Sequence, residues 1–197
     1  RIMITEEDES TKNFDCFYLE MHDGDSRIIL PLKSETQVCS LGDTPRLFVH
    51  FPLIGPNHFG INFLFHSHRF TPEESRDNII VPKDNDATDK TAMENKQVLD
   101  EMTMMLWNFL EANVHTWTDA IKMASLHIKD KGYNEAKTEK YYEELKESWV
   151  SEFSKLKLID AKGKRYSMDD ENHPVILEPS LETFISEQYD TDYLSVI

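Results

Sequence analysis

The stretch PRLFVHFPLIGPNHFGINFLFHSHRFTPEESRDNIIVP, residues 45–82, decides the predicted fold. Two apolar runs inside it, 47–54 and 61–65, have the length and the β-branched and aromatic content of strands. A Gly-Pro-Asn turn at 55–57 separates the two runs. We therefore predict two strands that are placed to pair directly.

A polar loop follows the second predicted strand and carries Arg69, Glu73, Glu74, Arg76 and Asp77. The apolar run 79–81 closes this loop and leads towards a long helical segment. Binding groups are often set on a loop that a rigid strand and a helix hold in place. Arg76 is therefore the first candidate for a functional residue.

The first 41 residues alternate in short β-like runs, at 2–5, 14–21 and 27–32. The Asp-Gly step within residues 22–25 is a strong hairpin signal. Alternate residues of the second run face opposite sides of a strand. Only one of these two sets, at 15, 17, 19 and 21, is fully apolar towards its end. This pattern predicts the edge of an antiparallel sheet with one solvated face.

Helical periodicity begins after the polar linker 84–89. Thr91 and Glu94 match a capping box, in which a hydroxyl and a carboxylate bind free backbone N–H groups at the start of a helix. Apolar residues then recur every three or four positions and predict one broad buried face: Val98, Leu99, Met102, Met105, Leu106, Phe109 and Leu110. The neighbouring Met104 is expected to pack in the core with Met102 and Met105.

The remaining third of the chain predicts further helices and a hairpin. A second helix is expected at 117–132, a third at 134–156, a hairpin at 158–168 and a short helix at 181–188. The predicted fold class is α+β, with an antiparallel or mixed sheet, long helices, and a helical and β-hairpin extension. We divide the chain into a domain at 1–130 and an extension at 131–197.

Composition limits the classes of function. The chain has 197 residues, 39% apolar and 29% charged, as a soluble globular protein does. Its net charge of −16 argues against nucleic-acid and anionic-membrane partners.

No apolar run approaches the roughly 20 residues that span a bilayer, so we predict a cytoplasmic protein. Because the chain begins at Arg1, we expect a piece of a longer protein. Cys16 and Cys39 are expected to be buried free thiols.

The common catalytic signatures are absent from the sequence, among them the P-loop, GxGxxG, GxSxG, CxxC and HExxH motifs. His66 and His68 form an HxH pair on a predicted strand, with His50 and His58 nearby, but they lack further ligands at a diagnostic zinc spacing. No metal site is therefore predicted, and a metal hydrolase is kept as a third hypothesis. Glu73 and Glu74 are interpreted as a solvated surface, with paired acid–base carboxylates as the alternative.

Residues 63–82, FLFHSHRFTPEESRDNIIVP, and the helix from Thr91 resemble the middle, or transducer, region of the large ATP-dependent heat-shock chaperone. The phrase PRLFVHFPLIG at 45–55, with FTPEESRDNI at 70–79, is closer still to bacterial ATP-binding proteins of the sacsin-like branch of the same GHKL superfamily. The resemblance covers about residues 40–112.

The resemblance implies a nucleotide-binding domain in the same longer chain, N-terminal to this piece, and an unknown protein client. It implies that Arg76 reaches that domain and contacts the γ-phosphate of ATP, with ATP and Mg²⁺ bound only by the full-length protein. A guanidinium suits this task because its planar fork of donors matches phosphate oxygens. Homodimerisation is left open. The alternative to the phosphate contact is a surface ion pair of Arg76 with Glu73 or Asp77.

The sequence also departs from the family pattern. It has no DxGxG motif and no glycine-rich lid, so the chain alone is expected neither to bind ATP tightly nor to hydrolyse it. ATP turnover, where it exists, belongs to the longer parent. The main alternative is a self-contained acidic module that binds a basic protein partner without nucleotide.

Overall fold

A computed structural model of the chain describes residues 2–5, 11–14, 17–41, 44–53, 61–84, 88–124, 138–161 and 163–171. Strands β1 (Ile2–Thr5) and β2 (Thr11–Phe14) form an antiparallel pair. The central sheet contains β3 (Phe17–Asp23), β4 (Ser26–Ser34), β5 (Gln37–Val38), β6 (Leu47–Phe48) and β7 (Leu64–Ser67). Its order is β3-β4-β7-β6, and β5 pairs with β4.

The β3–β4 hairpin forms where the Asp-Gly signal predicts it. Asp23 pairs with Ser26, and Gly24 between them has a φ of 55°, which glycine adopts without steric cost. Met21 is buried, whereas Tyr18 on the other face is 51% exposed. The half-solvated sheet edge is therefore confirmed, although the predicted strand 14–21 is divided between β2 and β3.

The apolar runs at 47–54 and 61–65 do pair, but as short parallel strands, with Leu47 opposite Phe65. The first run stays extended for two residues only, because the chain folds back at once: Phe48 bridges Pro52, and the Leu53 N–H donates to the Leu47 carbonyl at 3.0 Å. Proline has no N–H to extend a ladder. Strand β7 is placed centrally, between antiparallel β4 and parallel β6. The turn predicted at 55–57 lies outside the described residues.

Helix α1 (Lys90–Asn113) carries the predicted apolar face. Its N-cap is Asp89, whose Oδ1 accepts the Ala92 N–H at 3.1 Å, so the predicted capping box at Thr91 is wrong by two positions. Met102 is buried, but Met104 is 61% exposed and does not pack in the core.

The described part of the second predicted helix, 117–124, contains a 3₁₀ turn, Ala120–Ala124, and a second 3₁₀ turn, Val114–Thr116, precedes it. Asp119 between them has a φ of 54°, a left-handed conformation that interrupts a right-handed helix. The guanidinium of Arg165 donates to the carbonyls of Val114 and Trp117 at 3.0 and 2.6 Å and holds this break. Residues 125–132, the rest of that prediction, lie outside the described residues.

Helix α2 (Glu139–Lys155) begins later than predicted, and the hairpin of β8 (Ile159–Ala161) and β9 (Lys164–Tyr166) is confirmed. One apolar cluster joins the sheet, α1 and α2, with the rings of Trp107 and Phe153 edge to face at 4.9 Å. The fold class is α+β with a mixed sheet. The division predicted at residue 130 and the short helix at 181–188 lie outside the described residues.

Candidate functional site

Arg76 lies at the tip of a tight loop that joins β7 to α1. Pro72 and Ile79 form an antiparallel bridge, and the Glu73 N–H donates to the Asn78 carbonyl at 2.8 Å. At the tip, the Arg76 N–H donates to the Glu73 carbonyl at 2.9 Å. The loop is therefore a small hairpin, and its backbone hydrogen bonds present Arg76 at its end.

The backbone of Arg76 is left-handed, with a φ of 58°, and its side chain is exposed. For a residue with a Cβ this conformation costs about 1–2 kcal/mol. The guanidinium lies over the ring of Phe51, 5.1 Å from its centroid, an arrangement that contributes about 0.5–1 kcal/mol at an exposed site. Arg76 is thus held in a strained backbone and pre-oriented by an aromatic ring.

Asn95 of α1 fastens the base of this loop. Its Nδ2 donates to the carbonyls of Thr71 and Ile80, each at 2.8 Å, and its Oδ1 accepts the Thr71 N–H at 2.8 Å. The side chain is 1% exposed, so these bonds form away from water. Both strands of the small hairpin are therefore bound to α1.

Asn78 connects the same loop to α2. Its Nδ2 donates to the hydroxyl of Tyr142 at 2.7 Å, and its Oδ1 accepts the Ile79 N–H at 2.8 Å. Asn78 is also buried. The loop that carries Arg76 is consequently in contact with both α1 and α2.

Sequence reasoning proposed Arg76 as a candidate but did not predict the residues that contact its loop. The sequence does indicate that Asn95 is buried, because it lies three and four positions before Val98 and Leu99 on the apolar face of α1. An amide in that position needs buried partners. Phe51 and Tyr142 gave no such signal, since their contacts join residues far apart in the chain.

The surroundings of the paired carboxylates of the loop favour the surface interpretation over an acid–base pair. Glu73 and Glu74 are both exposed to solvent. Carboxylates that act as general acids near neutral pH usually have a pKa raised by burial and by neighbouring charges, and exposed side chains lack that burial. The interpretation of Glu73 and Glu74 as surface residues is therefore the better one.

The histidines meet in a way that the HxH pattern does not predict. Strand β7 ends at Ser67, so His68 lies in the following turn, where its Nδ1 is 3.0 Å from Nδ1 of His50. His66 is edge-on to His68, with ring centroids 4.8 Å apart. Burial, followed by the nearby His68, lowers the pKa of His66. His58 lies outside the described residues.

In the described ranges, no group of three or more His, Cys, Asp or Glu side chains is arranged to hold a metal ion. Cys39 is a free thiol but only partly buried, so the expectation of a buried thiol is wrong for it. The side chain of Cys16 lies outside the described part. Among the described helices, none has the length and apolarity to cross a bilayer.

Comparison with known proteins gives no relative: no family model, no curated protein and no solved structure matches the chain. The likeness to GHKL transducer regions stays a prediction.

Proposed function

We propose that this chain is a transducer region of a GHKL-type, chaperone-like ATPase of the cytoplasm. In this proposal it couples ATP bound with Mg²⁺ in a separate nucleotide-binding domain to conformational change that acts on a protein client. Arg76 is the residue that contacts the terminal phosphate. When hydrolysis removes that phosphate, the contact is lost and the two domains are released to move.

The observation that carries the proposal is the conformation of Arg76. Its side chain is exposed at a loop tip, while its backbone keeps a φ of 58° that glycine or asparagine would accept at lower cost. Strain of this kind accumulates at sites where geometry serves function. A pre-oriented, permanently charged fork of donors is the group best suited to a phosphate.

The attachments of the loop supply a route from phosphate to helices. Asn95 binds the loop to α1, and Asn78 binds it to α2. In this proposal, a displacement of Arg76 is transmitted to α1 and α2 through these direct hydrogen bonds. This arrangement supports a coupling role for the loop, beyond simple binding.

The test measures ATP turnover by the gene product with any residues encoded upstream of Arg1 included. Arg76→Ala is expected to lower turnover about 100-fold, as the loss of one transition-state donor does, and Arg76→Lys to restore part of it. The matched control is Arg69→Ala, because Arg69 is an exposed arginine near the same loop whose guanidinium is bound by Glu101 at 2.6 Å. Absence of a nucleotide-binding domain upstream, or turnover that Arg76→Ala leaves unchanged, overturns the proposal.

A second candidate is a nucleotide-independent acidic module for a basic protein partner. It is favoured by the 37 acidic against 21 basic residues of the chain. Such binding would weaken steeply with salt, because exposed charges are screened. It would be unaffected by nucleotide and by Arg76→Ala, which separates the two candidates.

A further inference from the structure

His50 and His68 lie on two segments that the sheet brings together, the turn after β6 and the turn after β7. Their Nδ1 atoms are 3.0 Å apart, and their ring centroids are 4.7 Å apart with the rings tilted by 33°. Both side chains are exposed. Two imidazole nitrogens that face each other at this distance share either a proton or a metal ion.

The two distances together indicate how the nitrogens face each other. In a head-on N–H···N hydrogen bond of this length the centroids would be about 5.2 Å apart, since each centroid lies roughly 1.1 Å behind its nitrogen and hydrogen bonds prefer linearity. The observed 4.7 Å is shorter. At least one ring is therefore inclined to the line that joins the two nitrogens, so the contact is not a head-on hydrogen bond.

A metal ion bound by both nitrogens is consistent with this inclined arrangement. With metal–nitrogen bonds of about 2.0–2.1 Å, two nitrogens 3.0 Å apart subtend an angle near 90°, whereas a tetrahedral angle would hold them about 3.3 Å apart. Angles near 90° belong to the square-planar and tetragonal sites of Cu²⁺ and Ni²⁺. Among divalent first-row ions, Cu²⁺ forms the most stable complexes with nitrogen ligands.

A third imidazole lies beside the pair. His66 is edge-on to His68, and its Nδ1 is buried without a hydrogen-bond partner among the described residues. It does not complete a three-ligand group, because no such group exists in the described ranges. It places a further imidazole next to the ligands, where outer groups adjust affinity and orientation.

We propose that His50 and His68 form a two-imidazole chelate for a divalent transition metal, with Cu²⁺ the preferred ion and solvent in the remaining coordination positions. The bound ion would fasten the segment that carries Phe51 to the segment that leads into the Arg76 loop. The chelate stands on the geometry of the imidazoles alone and is independent of the proposed ATPase role.

The test is a calorimetric titration of the untagged chain with Cu²⁺ against a weak competing chelator, with Ni²⁺ and Zn²⁺ for comparison. One Cu²⁺ is expected to bind more tightly than Ni²⁺ or Zn²⁺. His50→Ala and His68→Ala are each expected to weaken Cu²⁺ binding at least about tenfold, because even outer-shell changes cost 10–100-fold. His115→Ala is the control, since His115 is an exposed histidine on the 3₁₀ turn after α1.

Spin-echo spectroscopy of the Cu²⁺ complex supplies a direct count, with two imidazole nitrogens expected in the wild type and one in each variant. Circular dichroism shows whether the variants stay folded, and His50→Gln replaces His50→Ala if that variant does not. No Cu²⁺ binding by the wild type, or binding that neither substitution weakens, overturns the proposal.

Discussion

Asn95 and Thr71 exchange a reciprocal pair of hydrogen bonds: the Asn95 amide donates to the Thr71 carbonyl, and its Oδ1 accepts the Thr71 N–H, both at 2.8 Å. The side chain thereby imitates a neighbouring β-strand for one residue of the loop. Because the amide also donates to the Ile80 carbonyl, one buried side chain closes both strands of the Arg76 hairpin.

Replacing Asn95 with alanine should therefore destabilise the protein well beyond an ordinary helix substitution. The change removes the partners of the Thr71 N–H and the Ile80 carbonyl, while the Thr71 carbonyl keeps the Ile80 N–H at 3.2 Å, and we expect a loss of about 2–4 kcal/mol in the free energy of unfolding. Urea denaturation measures it. Gln97→Ala, on the exposed face of the same helix, is the control and should change stability by less than about 0.5 kcal/mol. Equal effects of the two substitutions would show that the hydrogen bonds of Asn95 do not stabilise the loop.

Glycine should be tolerated better than alanine at position 76. Arg76→Ala keeps the left-handed strain and loses the Phe51 contact, so we expect a loss of about 0.5–1 kcal/mol in the free energy of unfolding. Arg76→Gly relieves the strain, and the glycine variant should exceed the alanine variant by about 1 kcal/mol. Urea denaturation of both measures the difference. Equal stability would mean that position 76 does not keep its positive φ.

Two adjacent tyrosines of α2 should respond in opposite ways to the loss of a hydroxyl. The Tyr142 hydroxyl accepts a hydrogen bond from Asn78, so Tyr142→Phe should cost about 1 kcal/mol. The Tyr141 hydroxyl is buried without a partner among the described residues, and burial raises the pKa of this group. Tyr141→Phe removes an uncompensated polar atom and should be neutral or stabilising by about 1 kcal/mol.

Thermal and urea unfolding of the two phenylalanine variants check this contrast. They serve as controls for each other, because both delete one oxygen from neighbouring positions of one helix. A clear loss of stability in Tyr141→Phe would show that its hydroxyl has a partner.

Local signals predicted the parts of the fold that local chemistry determines. The β3–β4 hairpin follows from an Asp-Gly step with a glycine at positive φ, and α1 follows from a sustained apolar period. The parallel pairing of β6 with β7 was not readable, because it depends on the path of the chain and on the fold-back at Pro52. In its described part, 117–124, the helix expected at 117–132 is absent because Asp119 adopts a left-handed conformation that the apolar periodicity does not reveal.

The candidate site divides in the same way. Arg76 was proposed as a candidate from its place in the sequence, since a charged loop between a strand and a helix is a local feature, and its role stays a prediction. Its Phe51 partner and the contact of His50 with His68 are created when separate segments meet in the sheet. Sequence patterns indicate which residues carry chemistry, but the folded chain decides which of them meet.

Asp119 should contribute a pH-dependent part of the stability. Its Oδ2 accepts hydrogen bonds from Gln37 at 2.8 Å and from Lys122 at 3.1 Å. Both bonds hold the pKa of the carboxyl below its ordinary value, and the bond from Gln37 makes the larger contribution. The unfolded state then binds the proton more readily than the folded state. The contribution is therefore fully present above about pH 5, near and above the unfolded pKa, and is lost as the pH falls through the lower folded pKa.

Asp119→Asn tests this linkage, because asparagine accepts the left-handed backbone while losing the charge. The variant should be less stable than the wild type at pH 7, and the two stabilities should converge as the pH falls below about 4. Urea denaturation across this pH range measures the difference in stability between the two proteins. The difference should be smaller when both also carry Gln37→Ala, because the main hydrogen-bond donor to the Asp119 carboxylate is then absent. A difference that stays constant with pH, or that Gln37→Ala leaves unchanged, would show that the link between β5 and the 3₁₀ turn does not depend on the charge of Asp119.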